Sequence, residues 1–555
     1  MRGFSLAKCP RLLVIATAAL CATNCTPSLK PVTVAIGAGP ATEIVAATAA
    51  AIPTAFQAQT LEAADTAGAP QTPIPHASQT PAVAAKSTGN GDARTAVESQ
   101  PVPQGPVLLR SGMQLRKVAD VGTGNIRLVH NLQNDKIYFL NPAVGVFHVD
   151  LATGSTEIEA PLAEIAEGGT PSGMAYGPDG SLYIVSNQPF GRKQTRALVR
   201  KGVRDAGGQL AWSTFATTAP YELSGTNFDH LFNGIAVSAD NHWVYLNSGS
   251  RTDHGEAQNN NYSFPEMREL PLTSKIFRLP TNGSIAELGS DEGALEAQNV
   301  IFARGTRNSY DLEFAPNGEL FGGDNGPDAD YPDELNWLRA GLHYGFPWRF
   351  GIEDNPQQFP NYQSMQDKRL NQDFVAVQSG TYHVDAKFPP ALSPFADPIG
   401  NGGPDAAQYR SENGSAGDSA AEGKLLFTFT PHRSPLGLVF STSAQMPADF
   451  QGDGQVLSAF ILSWGAAGGT LTDKGQDLLH LILVRNGDNY KVVSNQIARG
   501  FDHPIDAVLI DNRLLNKNRS SALTKIKVRP VNKPKYYKVY LFQSFLINSF
   551  INFLH

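Results

Sequence analysis

The chain has 555 residues, 41% of them hydrophobic and 17% charged, with a formal net charge of −7. That length allows more than one domain, although large all-β folds often take as much for one, and the mild acidic balance, carried in loops, leaves no electrostatic footprint for nucleic acid. All three cysteines, Cys9, Cys21 and Cys25, lie at the N-terminal end, so the rest of the chain has no disulfide and no thiol nucleophile.

Arg2, Lys8 and Arg11 lead into the apolar run Leu12 to Leu20. At about nine residues this run is too short to be retained as a spanning helix, and it predicts an export signal over 1–25. The expected location is the periplasm, or a membrane surface if Cys21 or Cys25 carries a lipid, although neither follows the small residue that a bacterial lipoprotein site usually needs. Residues 26–105 are rich in Ala, Thr and Pro without apolar periodicity. They cannot bury enough surface to offset ordering entropy, which predicts a disordered spacer, whether tether or plain low-complexity sequence.

From residue 106 the texture changes to alternating apolar strands joined by turns of Asp, Asn or Gly. The pattern recurs as IRLVHNLQNDKIYFLN from Ile126, PSGMAYGPDGSLYIVSN from Pro171, NGIAVSADNHWVYLNSGS from Asn233 and YDLEFAPNGELFGGDNG from Tyr310. Weaker copies are SPLGLVFSTS from Ser434, whose partner QVLSAFILSW comes late, and HPIDAVLIDNRLL from His503. About six irregularly spaced two-strand units predict an all-β fold, a six-bladed β-propeller over 106–513 with long loop-face inserts. Residues from about 350 to 430 lack strand rhythm and predict such an insert, where substrate contacts often lie. Residues 514–555 are basic and contain no acidic residue. They predict a foreign end that packs poorly, leaving the last blade incomplete or completed from elsewhere in the chain. Gln543, Asn548 and Asn552 interrupt the apolar ending, which argues against a membrane helix.

The segment GTRNSYDLEFAPNGELFGGDNGPDADYPDELNWLRAGLHYGFPW, 305–348, concentrates charge, turn chemistry and backbone carbonyls. Its R-N, G-P, D-E-L-N and H-Y-G-F-P elements, carried by Gly305, Arg307, Asn308, Gly326, Pro327, Asp333, Glu334, Asn336, Tyr344, Gly345 and Pro347, resemble the glucose/sorbosone dehydrogenase family. These are soluble quinoproteins that use pyrroloquinoline quinone, and fainter similarity runs from about 115 to 511. The resemblance implies the same six-bladed fold. It also implies oxidation of an aldose or related alcohol or aldehyde, with the quinone held by calcium and electrons passed to an external acceptor, since the chain has no CxxCH.

Hydride abstraction from a sugar hydroxyl needs a base, an oriented quinone and positive charge beside the developing anion. The resemblance assigns the base to His230, ten residues before the turn at Asp240, and quinone polarisation to Arg307 and Asn308. Without it, His230 reads as a packed or solvated histidine and Arg307 as a bridge between blades. The loop Asp324 to Asp330 suits a hard cation. The family uses the carbonyls of the G-P pair, here Gly326 and Pro327, while Asp328 and Asp330, like Asp333 and Glu334, could serve a second ion or cap the next segment. Further cofactor contacts are expected from His432 and Arg433, which read equally as a satisfied loop pair, and from Arg499 or His503. These last stand where the family has Arg-x-Arg-Asp. This chain also departs from the family at Ser309-Tyr310-Asp311 and at Gly124-Asn125-Ile126-Arg127-Leu128. The missing arginine pair favours a rival, a non-catalytic propeller that binds a glycan or protein. A second rival, a calcium-dependent lactonase, would need ligands from several blades. No Walker loop, CxxC, HExxH or GxSxG is present, which removes nucleotide, zinc and serine-hydrolase readings.

Overall fold

The computed structural model describes residues 105–528, save 284–286, 393, 443, 466–468, 470 and 520–521. The expected export signal, lipidation at Cys21 or Cys25, most of the spacer and residues 529–555 lie outside the described residues.

Beside two small two-stranded sheets, six sheets of three or more strands follow one another along the chain. Their inner strands are Arg127–Asn131, Thr170–Tyr176, Phe232–Val237, Asp311–Phe314, Pro435–Phe440 and Pro504–Ile510. Each touches the next and the sixth touches the first, which closes a ring of six blades, numbered here in that order. The protein is therefore the six-bladed propeller that the recurring hairpins predict, and each hairpin forms the inner two strands of one blade. Their turns explain the signal. Asp135, Gly180, Asn241, Gly318 and Asp511 all take positive φ, from 53° to 83°, which Gly, Asn and Asp tolerate best. Strands within a blade bury apolar side chains on both faces because each blade packs against two neighbours. Leu514 and Ile526 of blade 6, for example, join the cluster of blade 5 while Leu515 and Leu523 join that of blade 1.

The expected boundary at 513/514 is wrong. Arg513–Asn518 and Ala522–Val528 are the second and third strands of blade 6. The fourth is Met113–Asp120, paired from Met113 opposite Val528 to Asp120 opposite Ala522 with one register shift between Lys117 and Ala119. Closure from the other end of the chain leaves no unpaired strand edge at the seam. The composition misled because Lys525 lies opposite Arg116 and Lys527 opposite Gln114 near the outer edge, while Leu523, Ile526 and Val528 between them are buried.

The insert joins blade 4, which has three strands, to blade 5. It is mostly loop, with a one-turn helix Val375–Gln378, and Gly400–Pro404 pairs into a blade, beside the outer strand of blade 5.

Candidate active site

In a propeller the inner strands run the same way along the axis, so the residues just before them share one rim. His230, Arg307 with Asn308, His432 with Arg433, and His503 precede the inner strands of blades 3, 4, 5 and 6 in turn. The structure brings His230, Arg307 and Asn308 together, places His432 on the loop after Asp324 through Asp330, and separates Arg433 and His503.

The His230 main chain is pinned by its own N–H to the Ser250 carbonyl at 2.9 Å. Leu231 then turns through φ 62°, a left-handed conformation that costs a branched residue roughly 1–2 kcal/mol. No side chain fits at Gly249, where a Cβ would stand 2.4 Å from that of His230. Nδ1 of His230 lies 3.0 Å from the Ser250 hydroxyl and 3.3 Å from its carbonyl. That hydroxyl donates its proton to the Thr252 carbonyl at 2.7 Å, so it can only accept from the imidazole. Nδ1 therefore carries the proton and Nε2 is the acceptor; Nε2 makes no hydrogen bond among the described residues. Burial, and then the Arg307 charge, push the pKa of His230 down to about 3. The ring is neutral at pH 7, with its lone pair free.

Arg307 is buried and gripped along one edge by Asp253. Nε donates to the Asp253 carbonyl at 2.7 Å and Nη2 to its carboxylate at 2.8 Å, while Nη1 reaches the Asn325 carbonyl at 3.1 Å. Burial works against this charge, but Asp253 and then Asp328 outweigh it and hold the guanidinium above its ordinary value. Asp324 clamps the backbone here, accepting the N–H of Arg307 at 2.9 Å and that of Asn308. Asn233 donates to the Asn308 carboxamide oxygen at 2.8 Å and to the His230 carbonyl at 3.3 Å, tying blade 3 to blade 4. Beneath, Arg127 bonds to the carbonyls of Ser172, Asn233 and Tyr310 and lies 3.7 Å over the Tyr310 ring. The departure from the family at Ile126-Arg127 is thus a tie across four blades.

The loop after Asp324 is a frame of backbone carbonyls. Those of Gly326 and Pro327 accept no hydrogen bond among the described residues, while the Gly326 N–H donates to Asp333 at 2.7 Å. The acidic side chains are engaged elsewhere. Asp330 takes His432 at 2.9 Å and Arg410, and Asp328 accepts the Ala376 N–H at 3.0 Å. Asp333 completes its set with the Ser434 N–H. Among the described residues no three His, Cys, Asp or Glu side chains converge on a metal position. The loop therefore offers a cation two free carbonyls; of the two roles expected for the carboxylates, Asp328 takes the capping one at the Ala376 N–H of the insert helix, and Asp330 is engaged by His432 and Arg410. Burial raises Asp324 to about 6, and burial with the nearby Asp324 raises Glu334 to about 8.

The later blades contribute less than expected. Arg433 is 1% exposed and is neutralised inside blade 5 by Asp473 and by Asp477 at 2.5 Å. A guanidinium enclosed this way is a structural ion pair, which corrects the expectation of cofactor contact. Arg499 ends the outer strand of blade 5, exposed, in a separate groove of about 390 Å³ with Asp405 and Gln496. His503 is held by Asp502 at 2.9 Å and Gln476 at 3.2 Å beside Trp464. His432 belongs to the cation loop through Asp330. Sequence reasoning missed Asp253, Ser250 and Asn233. The available signal was SGSRTDHGE, 248–256, a polar run after an apolar strand that is buried throughout.

Residues 172–374 match the family model described as Glucose / Sorbosone dehydrogenase. Among curated proteins, quinoprotein glucose dehydrogenase B of Acinetobacter calcoaceticus is 32% identical over 110 residues, 19% of this chain and 22% of that relative. The match thus spans about a fifth of the relative's length. The soluble aldose sugar dehydrogenase of Escherichia coli superposes with a TM-score of 0.47 at 16% identity, over 75% of this chain and 100% of that one. The pyranose dehydrogenase PQQ domain of Coprinopsis cinerea gives 0.48 at 12%, over 77% and 98%. These superpositions are too loose to carry an argument about the site. The family resemblance read from the motifs stands on the matched segment, which holds His230, Arg307, Asn308, Gly326 and Pro327.

Proposed function

We propose that this propeller oxidises an aldose, or a related alcohol or aldehyde, with pyrroloquinoline quinone and calcium. The observation that carries the reading is a neutral histidine whose only open nitrogen is a base, set one residue contact from a buried arginine. His230 and Arg307 meet through Ser250, whose N–H donates to the Arg307 carbonyl at 2.6 Å while its hydroxyl accepts from His230.

The quinone, when bound, supplies the hydride-accepting carbonyl. His230 Nε2 takes the proton of the substrate hydroxyl. Arg307, with N–H groups left on Nη1 and Nη2 beyond those Asp253 and Asn325 engage, supports negative charge at fixed positions and needs no reorganisation to do so. The Asn308 carboxamide has its oxygen held by Asn233 and its NH₂ left to donate. Gly326 and Pro327 would hold calcium through their carbonyls, the remaining oxygens coming from water and cofactor. Electrons leave to an external acceptor.

The test is a quinone titration of the purified protein with and without a chelator, followed by dye-linked turnover with aldoses and aldehydes. Binding should require calcium, and at least one substrate should turn over. A chain that binds no quinone with calcium present is instead the glycan- or protein-binding propeller, the reading favoured by the late blades' lack of a free arginine pair.

A further inference from the structure

Asp253 does more than neutralise Arg307. Its carboxylate is fully buried and takes donors from three directions. Arg307 Nη2 comes from the blade 4 rim at 2.8 Å. The Asp328 N–H, just after the Gly326-Pro327 carbonyls, comes at 3.0 Å. The Tyr382 hydroxyl comes from the insert at 3.0 Å. His254 adds Nδ1–H at 2.9 Å and lies flat on the Tyr382 ring, centroids 3.7 Å apart and 15° from parallel. The insert is docked on the same dipeptide: Asn355 and Gln357 both donate to the His254 carbonyl, and the Thr381 carbonyl accepts from His254 Nε2. One carboxylate is thus the meeting point of the arginine, the carbonyl loop and the insert.

We propose that Tyr382 is a positioning residue: through its hydrogen bond to Asp253 it makes the alignment of Arg307 and of the Gly326-Pro327 carbonyls depend on a seated insert. Seating adds a donor to Asp253 Oδ2 and fixes the carboxylate plane, on which both Arg307 Nη2 and the Asp328 N–H are set. An unseated insert removes Tyr382 and the His254 stack together, so Asp253 Oδ2 loses one of the donors that fix the carboxylate plane. The site is completed by the insert.

The role of these groups in catalysis rests on the quinoprotein reading, so the decisive measurement is made on the apo-protein. Tyr382→Phe keeps the ring and its stacking on His254 and removes only the hydroxyl. Amide hydrogen exchange should speed up about 10-fold at Asp328, the scale of losing one hydrogen bond to a charged group, and quinone affinity measured by direct titration should fall by a similar factor. Tyr362→Phe is the control. It removes a hydroxyl bond of the same kind within the insert, to Asp367 at 2.9 Å, and should leave Asp328 exchange unchanged. Unchanged exchange in Tyr382→Phe, or an equal change in Tyr362→Phe, overturns the proposal. If the unaltered protein binds no quinone, the functional reading fails, while the exchange comparison still decides whether Tyr382 governs the loop.

Discussion

Replacing Ser250 by alanine tests how His230 is made a base. The substitution removes the acceptor 3.0 Å from Nδ1 and leaves the longer 3.3 Å contact to the main-chain carbonyl. The tautomer with Nδ1–H therefore loses about 1 kcal/mol of preference, the typical net value of one hydrogen bond, so turnover should drop by at most about fivefold. His230→Ala removes the base and should cost the 10²- to 10⁴-fold typical of a positioned one. Neither change touches Arg307 or the Gly326-Pro327 carbonyls, so quinone affinity should be retained in both. The assay is dye-linked turnover at saturating cofactor, paired with a cofactor titration. A Ser250→Ala loss as large as that of His230→Ala, or an equal fall in quinone affinity in either variant, would refute the tautomer argument and make His230 a structural residue or cofactor ligand. Because His230 is held at about pKa 3, the free enzyme should also show no kcat/KM limb near pH 6.5 that disappears in His230→Ala.

Chelation should lower Tm as well as abolish quinone binding, since a ligand of the native state alone stabilises it by mass action; a Tm indifferent to calcium would count against the carbonyl site. Stopping the chain after Val528 should cost little, whereas stopping after Asn512 removes two strands and the buried Leu514, Leu515, Leu523, Ile526 and Val528. At roughly 1.5–3 kcal/mol per side chain that matches a whole domain's stability, so the second truncation should fail to fold. His480 is buried with Nε2 on the Ser458 hydroxyl and Nδ1 unpartnered, and burial pushes its pKa down to about 3. The unfolded state, titrating near 6.5, binds the extra proton first, so this group weakens the fold as pH falls from about 6.5, by about 2 kcal/mol at pH 5. His480→Gln should therefore narrow its Tm gap to the parent over that window, and a constant gap would show that the histidine stays solvated.

The propeller was legible because its signal is local. Five of the six hairpins carry their own alternation and a turn residue with positive φ, so those units can be recognised one at a time. Blade closure is not local: Met113–Asp120 and Ala522–Val528 meet only across the full ring, and neither segment announces its partner. Composition then pointed the wrong way, because lysines at an outer strand edge look foreign when the buried alternate residues are not yet placed. The same distinction runs through the site. His230, Arg307, Asn308 and the Gly326-Pro327 pair stand in a linear motif. Asp253, by contrast, acquires its role from Arg307, Asp328 and Tyr382, which are 54, 75 and 129 positions away. Arg433 shows the converse: basic residues near a rim suggest a ligand until the carboxylates that enclose them, Asp473 and Asp477, are seen to be in the same blade.

These placements give the site a lopsided plan. A ring of six similar strand ends could supply ligands evenly, yet the base, the arginine, its clamp and the carbonyl loop all come from blades 3 and 4. The insert closes over that side through His254 and Tyr382. Blade 5 uses its rim arginine to hold itself together and lends His432, by way of Asp330. The expected contribution of an arginine pair from the far side has to be met differently or not at all, and His503, with its ring between Gln476 and Asp502, is what stands at the blade 6 rim. A site loaded on one side depends more heavily on whatever fixes that side. Asp253 is therefore the residue on which the arrangement turns: it is charged, fully enclosed and satisfied only when Arg307, the Asp328 amide and the insert are all in place.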